Sequence, residues 1–175
     1  YPGNVAAQRN GKACDGGDGQ SCLSLALMYD AGKGSLPKSE ADEVRLYRRA
    51  CEQGAAVGCT NLGKSYSDGE GVLQDIVESV RWYEKGCEAG HALGCRNLGT
   101  RYENGKGVAQ DKKAAARFYG KACEMDDAKA CRWLGLMYKK GDGVATDKRE
   151  AGLYFRKACD GGDADGCRGL GYMYI

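Results

Sequence analysis

At 175 residues the chain has the length of one or two domains, yet 28 glycines and 10 cysteines exceed what an ordinary cytosolic domain uses, so a regular framework is consuming them. Lys and Arg number 26 against 24 Asp and Glu, which excludes both the basic footprint of a nucleic-acid binder and an acidic tail. No apolar run approaches the roughly 20 residues of a spanning helix, and the chain opens at Tyr1 without methionine or hydrophobic leader, as expected of a processed or trimmed chain.

Residues 1–19 read as a partial helix, of the type called B below, and its turn, running into the first cysteine pair, Cys14 and Cys22. Cys22 opens an apolar pattern at i, i+3, i+4 and i+7 with Leu25, Ala26 and Tyr29, the signature of one face of an α-helix, here helix A. Gly32 and Gly34 end it where a left-handed cap is needed. Ser35-Leu36-Pro37 then adds one residue relative to later loops, with proline suited to a helix start. Helix B follows, with Val44, Tyr47 and Ala50 on its buried stripe, and stops at Cys51.

The same unit then recurs. Helix A returns as Cys59, Leu62, Gly63, Tyr66, as Cys95, Leu98, Gly99, Tyr102, as Cys131, Leu134, Gly135, Tyr138, and lastly as Cys167, Leu170, Gly171, Tyr174. A mid-helix glycine costs about 1 kcal/mol against alanine, so its return on the apolar face predicts close helix packing. Glycine pairs at Gly69 and Gly71, Gly105 and Gly107, and Gly141 and Gly143 close these helices, and Asp75, Asp111 and Asp147 suit the N-caps of the next ones. The B stripes continue as Val80, Tyr83 and Gly86, as Ala116, Tyr119 and Ala122, and as Phe155 and Ala158, ending at Cys87, Cys123 and Cys159. The expected organisation is one array: repeats 20–55, 56–91, 92–127 and 128–163, then a truncated helix A at 164–175.

All ten cysteines therefore fall in five C-x7-C pairs: Cys14 and Cys22, Cys51 and Cys59, Cys87 and Cys95, Cys123 and Cys131, Cys159 and Cys167. Residues eight apart in one helix lie about 12 Å apart, whereas a disulfide needs Cα atoms roughly 4.4 to 6.8 Å apart. The chain must reverse between them, and Glu52-Gln53-Gly54 and Glu88-Ala89-Gly90 supply the glycine to do so. Each bridge should tie the end of helix B to the start of the next helix A. Zinc would require four converging ligands, which pairs one repeat apart do not offer; reduced core thiols are the other alternative. Matched register favours disulfides, hence an oxidising compartment, periplasmic or extracellular.

The recurring Leu-Gly-x-x-Tyr, G-x-G-V and Tyr-x-x-Ala/Gly-Cys elements, as in Leu62 to Tyr66, Gly69 to Val72 and Tyr83 to Cys87, resemble the Sel-one-like repeat, a relative of the tetratricopeptide repeat. With the C-x7-C junctions, the chain is similar to the disulfide-rich branch typified by the Helicobacter cysteine-rich proteins. The resemblance implies an all-α, right-handed superhelical α/α-repeat solenoid whose members act mostly as adaptors or binding scaffolds. It also implies alternatives: penicillin binding or weak β-lactam hydrolysis, periplasmic immunity proteins, and a cysteine-rich assembly factor of the mitochondrial intermembrane space.

The residues offer little catalytic chemistry, and no cofactor or metal site is expected. Ser35 and Lys38 form the single S-x-x-K match, without the companion S-D-N and K-T-G elements of a serine β-lactamase. His91 is the one histidine, expected as a surface residue of a glycine turn. The G-x-G loops follow helices rather than strands, so they are not nucleotide sites. Asp160, Asp163 and Asp165 lack calcium-loop spacing and read as turn and capping residues.

A binding surface is the better expectation. The positions one and five after the second cysteine of each pair point away from the core stripe; the resemblance to tetratricopeptide repeats implies that they line the concave groove. They are Leu23 and Leu27, Thr60 and Lys64, Arg96 and Thr100, Arg132 and Leu136, Arg168 and Tyr172. Arginine forks repeated in three units suit a partner protein or peptide with an acidic or carboxylate-bearing segment. One position over stand Asn61, Asn97 and Trp133. The candidate partner-binding set is thus Asn61, Lys64, Arg96, Asn97, Thr100, Arg132, Trp133, Arg168 and Tyr172, against the alternative that these residues solvate helix A or pack on the next repeat. The uncovered final helix, with Leu170, Tyr172 and Tyr174, adds an expectation of end-to-end self-association or of a longer natural chain.

Overall fold

The computed structural model describes residues 5–30 and 39–173, among which there are ten α-helices and no strand. The chain divides into two compact units, Tyr1–Ala89 and Gly90–Ile175. The first holds α1 (Val5–Asp15), α2 (Gly19–Asp30), α3 (Glu40–Glu52), α4 (Ala56–Asp68) and α5 (Ile76–Glu88). The second holds α6 (Ala92–Asn104), α7 (Lys112–Glu124), α8 (Ala128–Lys140), α9 (Lys148–Asp160) and α10 (Ala164–Gly171). Within each unit successive helices pack on one another, and α2 also meets α4 as α8 meets α10, so A helices stack on A helices between repeats. This is the all-α helix-pair solenoid that the cysteine register implied. Gly32, Gly34, the Ser35 to Lys38 motif with Pro37, and Tyr174 lie outside the described residues.

Capping starts the B helices where the sequence placed them. Asp75, Asp111 and Asp147 accept hydrogen bonds from the backbone N–H groups of Glu78, Ala114 and Arg149 at 2.9, 2.9 and 2.8 Å, each cap stabilising by about 1 kcal/mol. Their own N–H groups donate to the carbonyls of Tyr66, Tyr102 and Tyr138, closing each loop. For α3, Ser39 performs the capping, accepting from Asp42 N–H at 3.3 Å.

The two glycines of each G-x-G loop do different work. Gly69, Gly105 and Gly141 are left-handed C-caps. Gly71 and Gly143 combine positive φ with backbone contact: a Cβ there would fall within the radius of the Glu40 and Lys112 carbonyl oxygens at the start of the preceding B helix. Mid-helix glycines are sockets for an aromatic side chain of the paired helix B. A Cβ on Gly63 would lie 2.7 Å from the Tyr83 ring, on Gly99 2.8 Å from Tyr119, and on Gly135 3.1 Å from Phe155. A second aromatic row packs on the tyrosine that ends each A stripe, with Tyr102 stacked on Phe118 at 5.4 Å and Tyr138 on Tyr154 at 5.5 Å.

Disulfides join Cys14 to Cys22, Cys51 to Cys59, Cys123 to Cys131 and Cys159 to Cys167, with Cα separations of 4.6, 4.6, 4.7 and 4.4 Å. Cys87 and Cys95 are disulfide-bonded too, and no cysteine is free. Closing such short loops stabilises by roughly 2 to 3 kcal/mol per bridge, and full oxidation fits an oxidising compartment. Where other junctions use glycine, the α7–α8 turn places Asp126 at φ 62°. Aspartate tolerates that region better than most residues, which is why the turn survives without its glycine.

Candidate binding groove on the A helices

Helix A of each repeat carries the predicted face, but the two units use it differently. On α2 and α4 the position after cysteine is buried, as Leu23 and Thr60. Thr60 packs against Gly86 of α5, where a Cβ would meet its hydroxyl, so in this unit the position serves helix packing rather than a groove. Asn61 is half-buried and Lys64 exposed. The Lys64 ammonium holds Glu70 at 2.9 Å and Asp68 at 3.0 Å, and these bonds raise its pKa above the ordinary lysine value.

In the second unit arginine takes that position and bridges repeats. Arg96 Nε pairs with Asp127 Oδ2 at 2.9 Å, while the other oxygen of Asp127 accepts the Ala130 N–H and caps α8. Arg132 repeats the arrangement one unit on. Its Nε lies 3.1 Å from Asp163 Oδ1, an ion pair without hydrogen-bond alignment, and Asp163 caps α10 by accepting the Gly166 N–H at 2.7 Å. These carboxylates are largely shielded from water, so the bridges are stronger than exposed pairs. Arg168 pairs with Asp165 on its own helix, both side chains exposed.

The remaining predicted residues flank these bridges. Trp133 is half-buried with the Arg132 guanidinium 4.4 Å above its ring, rather than freely exposed. Asn97 is half-buried. Thr100 donates to the Arg96 carbonyl and sits 3.1 Å from the Tyr119 hydroxyl, which donates to Glu103 Oε2 at 2.6 Å. Burial, followed by that bond, raises the Tyr119 pKa, so the phenol stays a donor. His91 is half-buried at the N-cap position of α6, not simply on the surface; burial lowers its pKa and Asp127 opposes the shift.

Three of the predicted residues converge. Arg132, Arg168 and Tyr172 line one groove of about 290 Å³ between α8 and α10, floored by Leu136 and Phe155. Tyr172 is 68% exposed at its edge. Lys139, Asp165 and Gly169 complete the lining; Asp165 reads from sequence as a turn and capping residue, and Lys139 was not singled out, although it stands one turn beyond Leu136 on the same face, which was the available signal. Its ammonium lies 5.9 Å from the Tyr172 ring. The groove thus presents three cations, one acid and an aromatic edge over an apolar floor: it can hold an anionic group beside an apolar one. Asn61 and Lys64 belong to the other unit, and Arg96, Asn97 and Thr100 sit on α6, outside the groove's lining. Among the described residues no group of three or more His, Cys, Asp or Glu side chains is placed to hold a metal.

Paired helices, a fixed period and a bridged turn at each repeat junction define a disulfide-stapled helical repeat protein. The chain belongs to the Sel1 repeat family, which matches residues 19–54, 56–91, 92–127 and 128–163. A protective antigen of uropathogenic Escherichia coli with the SLR fold is 33% identical, with a TM-score of 0.90 over 98% of this chain and 36% of that one. Helicobacter pylori cysteine rich protein B is 34% identical, with a TM-score of 0.61 over 74% of this chain and 93% of that one. Cytochrome c oxidase assembly factor 7A of Xenopus laevis is 34% identical over 64 residues, 37% of this chain. The match spans 28% of that curated relative's length. Sel1 repeats form a scaffold fold that commonly mediates protein–protein interaction, and no helix among the described residues is long and apolar enough to cross a membrane.

Proposed function

We propose that the chain is a non-catalytic, protein-binding scaffold of the periplasm or cell exterior that takes a carboxylate-bearing segment of a partner in the α8–α10 groove. The observation that carries this reading is the convergence of Arg132, Arg168 and Lys139 around Leu136 and Tyr172. Lys139 has no ion pair among the described residues, and the exposed Arg168–Asp165 pair is weak enough to exchange partners. Full oxidation of the cysteines supports the compartment.

Fluorescence anisotropy with labelled acidic peptides, ending either in a free carboxylate or in an amide, tests the reading. Micromolar binding to the free carboxylate is expected, weakened by salt through screening and reduced about tenfold by Lys139→Glu or Tyr172→Ala. Tight binding indifferent to salt and to both substitutions overturns it. The assembly-factor match supports a second reading, an assembly role in the mitochondrial intermembrane space. Import of a tagged chain into isolated mitochondria, with protection in the intermembrane space, would favour it over the first.

A further inference from the structure

The B helices carry a second charged surface, unconnected to the groove above. Two residues before the first cysteine of every pair stands a cation: Lys12, Arg49, Lys85, Lys121 and Lys157. Each lies in the last turn of its helix, where the helix dipole favours positive charge, so helix stability accounts for this row. It does not account for the rest of α7 and α9. Lys112 and Lys113 open α7, and Lys148 and Arg149 open α9, in the first turn, where a cation opposes the same dipole. The corresponding turns of α3 and α5 carry Glu40, Asp42 and Glu43, and Glu78; that of α9 also holds Glu150, and that of α7 holds no acid.

Pairing differs in the same sense. Arg45, Arg49 and Arg81 on α3 and α5 meet Asp42, Asp15 and Glu78 at 2.9, 2.9 and 3.0 Å. Lys113, Arg117, Lys121, Lys148, Arg149 and Lys157 are all exposed and, among the described residues, have no carboxylate partner. Between α7 and α9 lies a cleft of about 480 Å³, rimmed by three cations, Lys113, Arg117 and Lys121, and one acid, Glu124, and floored by Leu134, Tyr138 and Tyr154. Lys157, outside the cleft lining, stands 5.6 Å from the Tyr154 ring. Cations without carboxylate partners around an apolar recess, Lys113 among them in a first turn that disfavours it, suit an acidic group from outside the chain.

We infer that the α7–α9 face is a docking surface for an acidic segment of a partner protein whose anchoring apolar side chain enters the cleft over Tyr138 and Tyr154. A recessed aromatic floor suits a side chain; a sheet of anionic lipid headgroups would engage the protruding cations and leave the recess unused. The inference does not rest on the α8–α10 groove.

The test uses the intact chain and two labelled synthetic peptides, one of alternating Asp and Glu with a central Phe, the other with Ser in place of Phe. The Phe peptide is expected to bind with a steep salt dependence. The double variant Lys113→Glu/Arg117→Glu, which alters only exposed residues without ion pairs, is expected to weaken it at least about tenfold with an unchanged circular dichroism spectrum. Lys139→Glu, in the other groove, should leave this binding intact, which separates failure of one site from failure of the other. Equal binding of the Ser peptide, retention by the double variant, or capture by phosphatidylglycerol vesicles without binding to either peptide each overturns the proposal.

Discussion

The two units share one frame and carry opposite charge. Residues 1–89 hold 10 basic against 13 acidic side chains, a net of −3, while residues 90–175 hold 16 against 11, a net of +5; together they give the +2 of the whole chain. The near-neutral total conceals a segregated distribution. The frame is set by residues that recur with little change from repeat to repeat, the cysteines, the loop glycines and the aromatic sockets, whereas the surface positions between them differ repeat by repeat. Where position one after cysteine is Thr60, packing fills it; where it is Arg96 or Arg132, an ion pair links consecutive A helices.

If the frame is truly shared, its breakage must cost the same in both units. Gly71→Ala and Gly143→Ala each force a Cβ into a backbone carbonyl at positive φ, so each should destabilise by about 2 to 4 kcal/mol in denaturant unfolding. A large loss in one unit alone would break the equivalence. The units should separate at the caps. Asp75→Ala removes only an N-cap and should cost about 1 kcal/mol, whereas Asp163→Ala also strands Arg132 and should cost about 2 kcal/mol. A double-mutant cycle on Arg132 and Asp163 isolates the difference.

These bridges join positions far apart in the chain, unlike the rest of the frame. The cysteine period, the capping aspartates and the buried stripes are local patterns, visible within one repeat. Arg96 meets Asp127 and Arg132 meets Asp163 across 31 residues each time, a relation invisible to a helix-by-helix view of faces. The signal existed: the offset recurs twice, and where the arginine is replaced by Thr60 the aspartate is replaced by His91. The groove was half legible, because Arg132, Arg168 and Tyr172 share a helical phase. Lys139 and the floor from Phe155 required the stacking of neighbouring helices. The basic face of α7 and α9 was hidden by the balanced total.

A Cβ on Gly152 in α9 meets nothing within 4 Å, unlike the socket glycines, so Gly152→Ala should stabilise by up to about 1 kcal/mol. Burial holds the His91 pKa below its ordinary value of 6.5. The unfolded chain therefore takes up the proton first as pH falls. The contribution is intact above pH 6.5 and lost below it. His91 being the sole histidine, hydrogen-exchange protection at the start of α6, taken relative to the intrinsic rate at each pH, should fall between pH 7 and 5.5, and His91→Asn should abolish that change.

The bridges have a kinetic meaning as well. Ten cysteines admit hundreds of connectivities, and most ten-cysteine chains must search among them. Here Cys14–Cys22, Cys51–Cys59, Cys123–Cys131 and Cys159–Cys167 each join residues eight apart, so these thiols meet their mates within one turn, before distant parts of the chain have been synthesised. Oxidation can then proceed junction by junction in the order the chain emerges, with little demand for isomerase proofreading, and a repeat can be duplicated or deleted without orphaning a cysteine elsewhere.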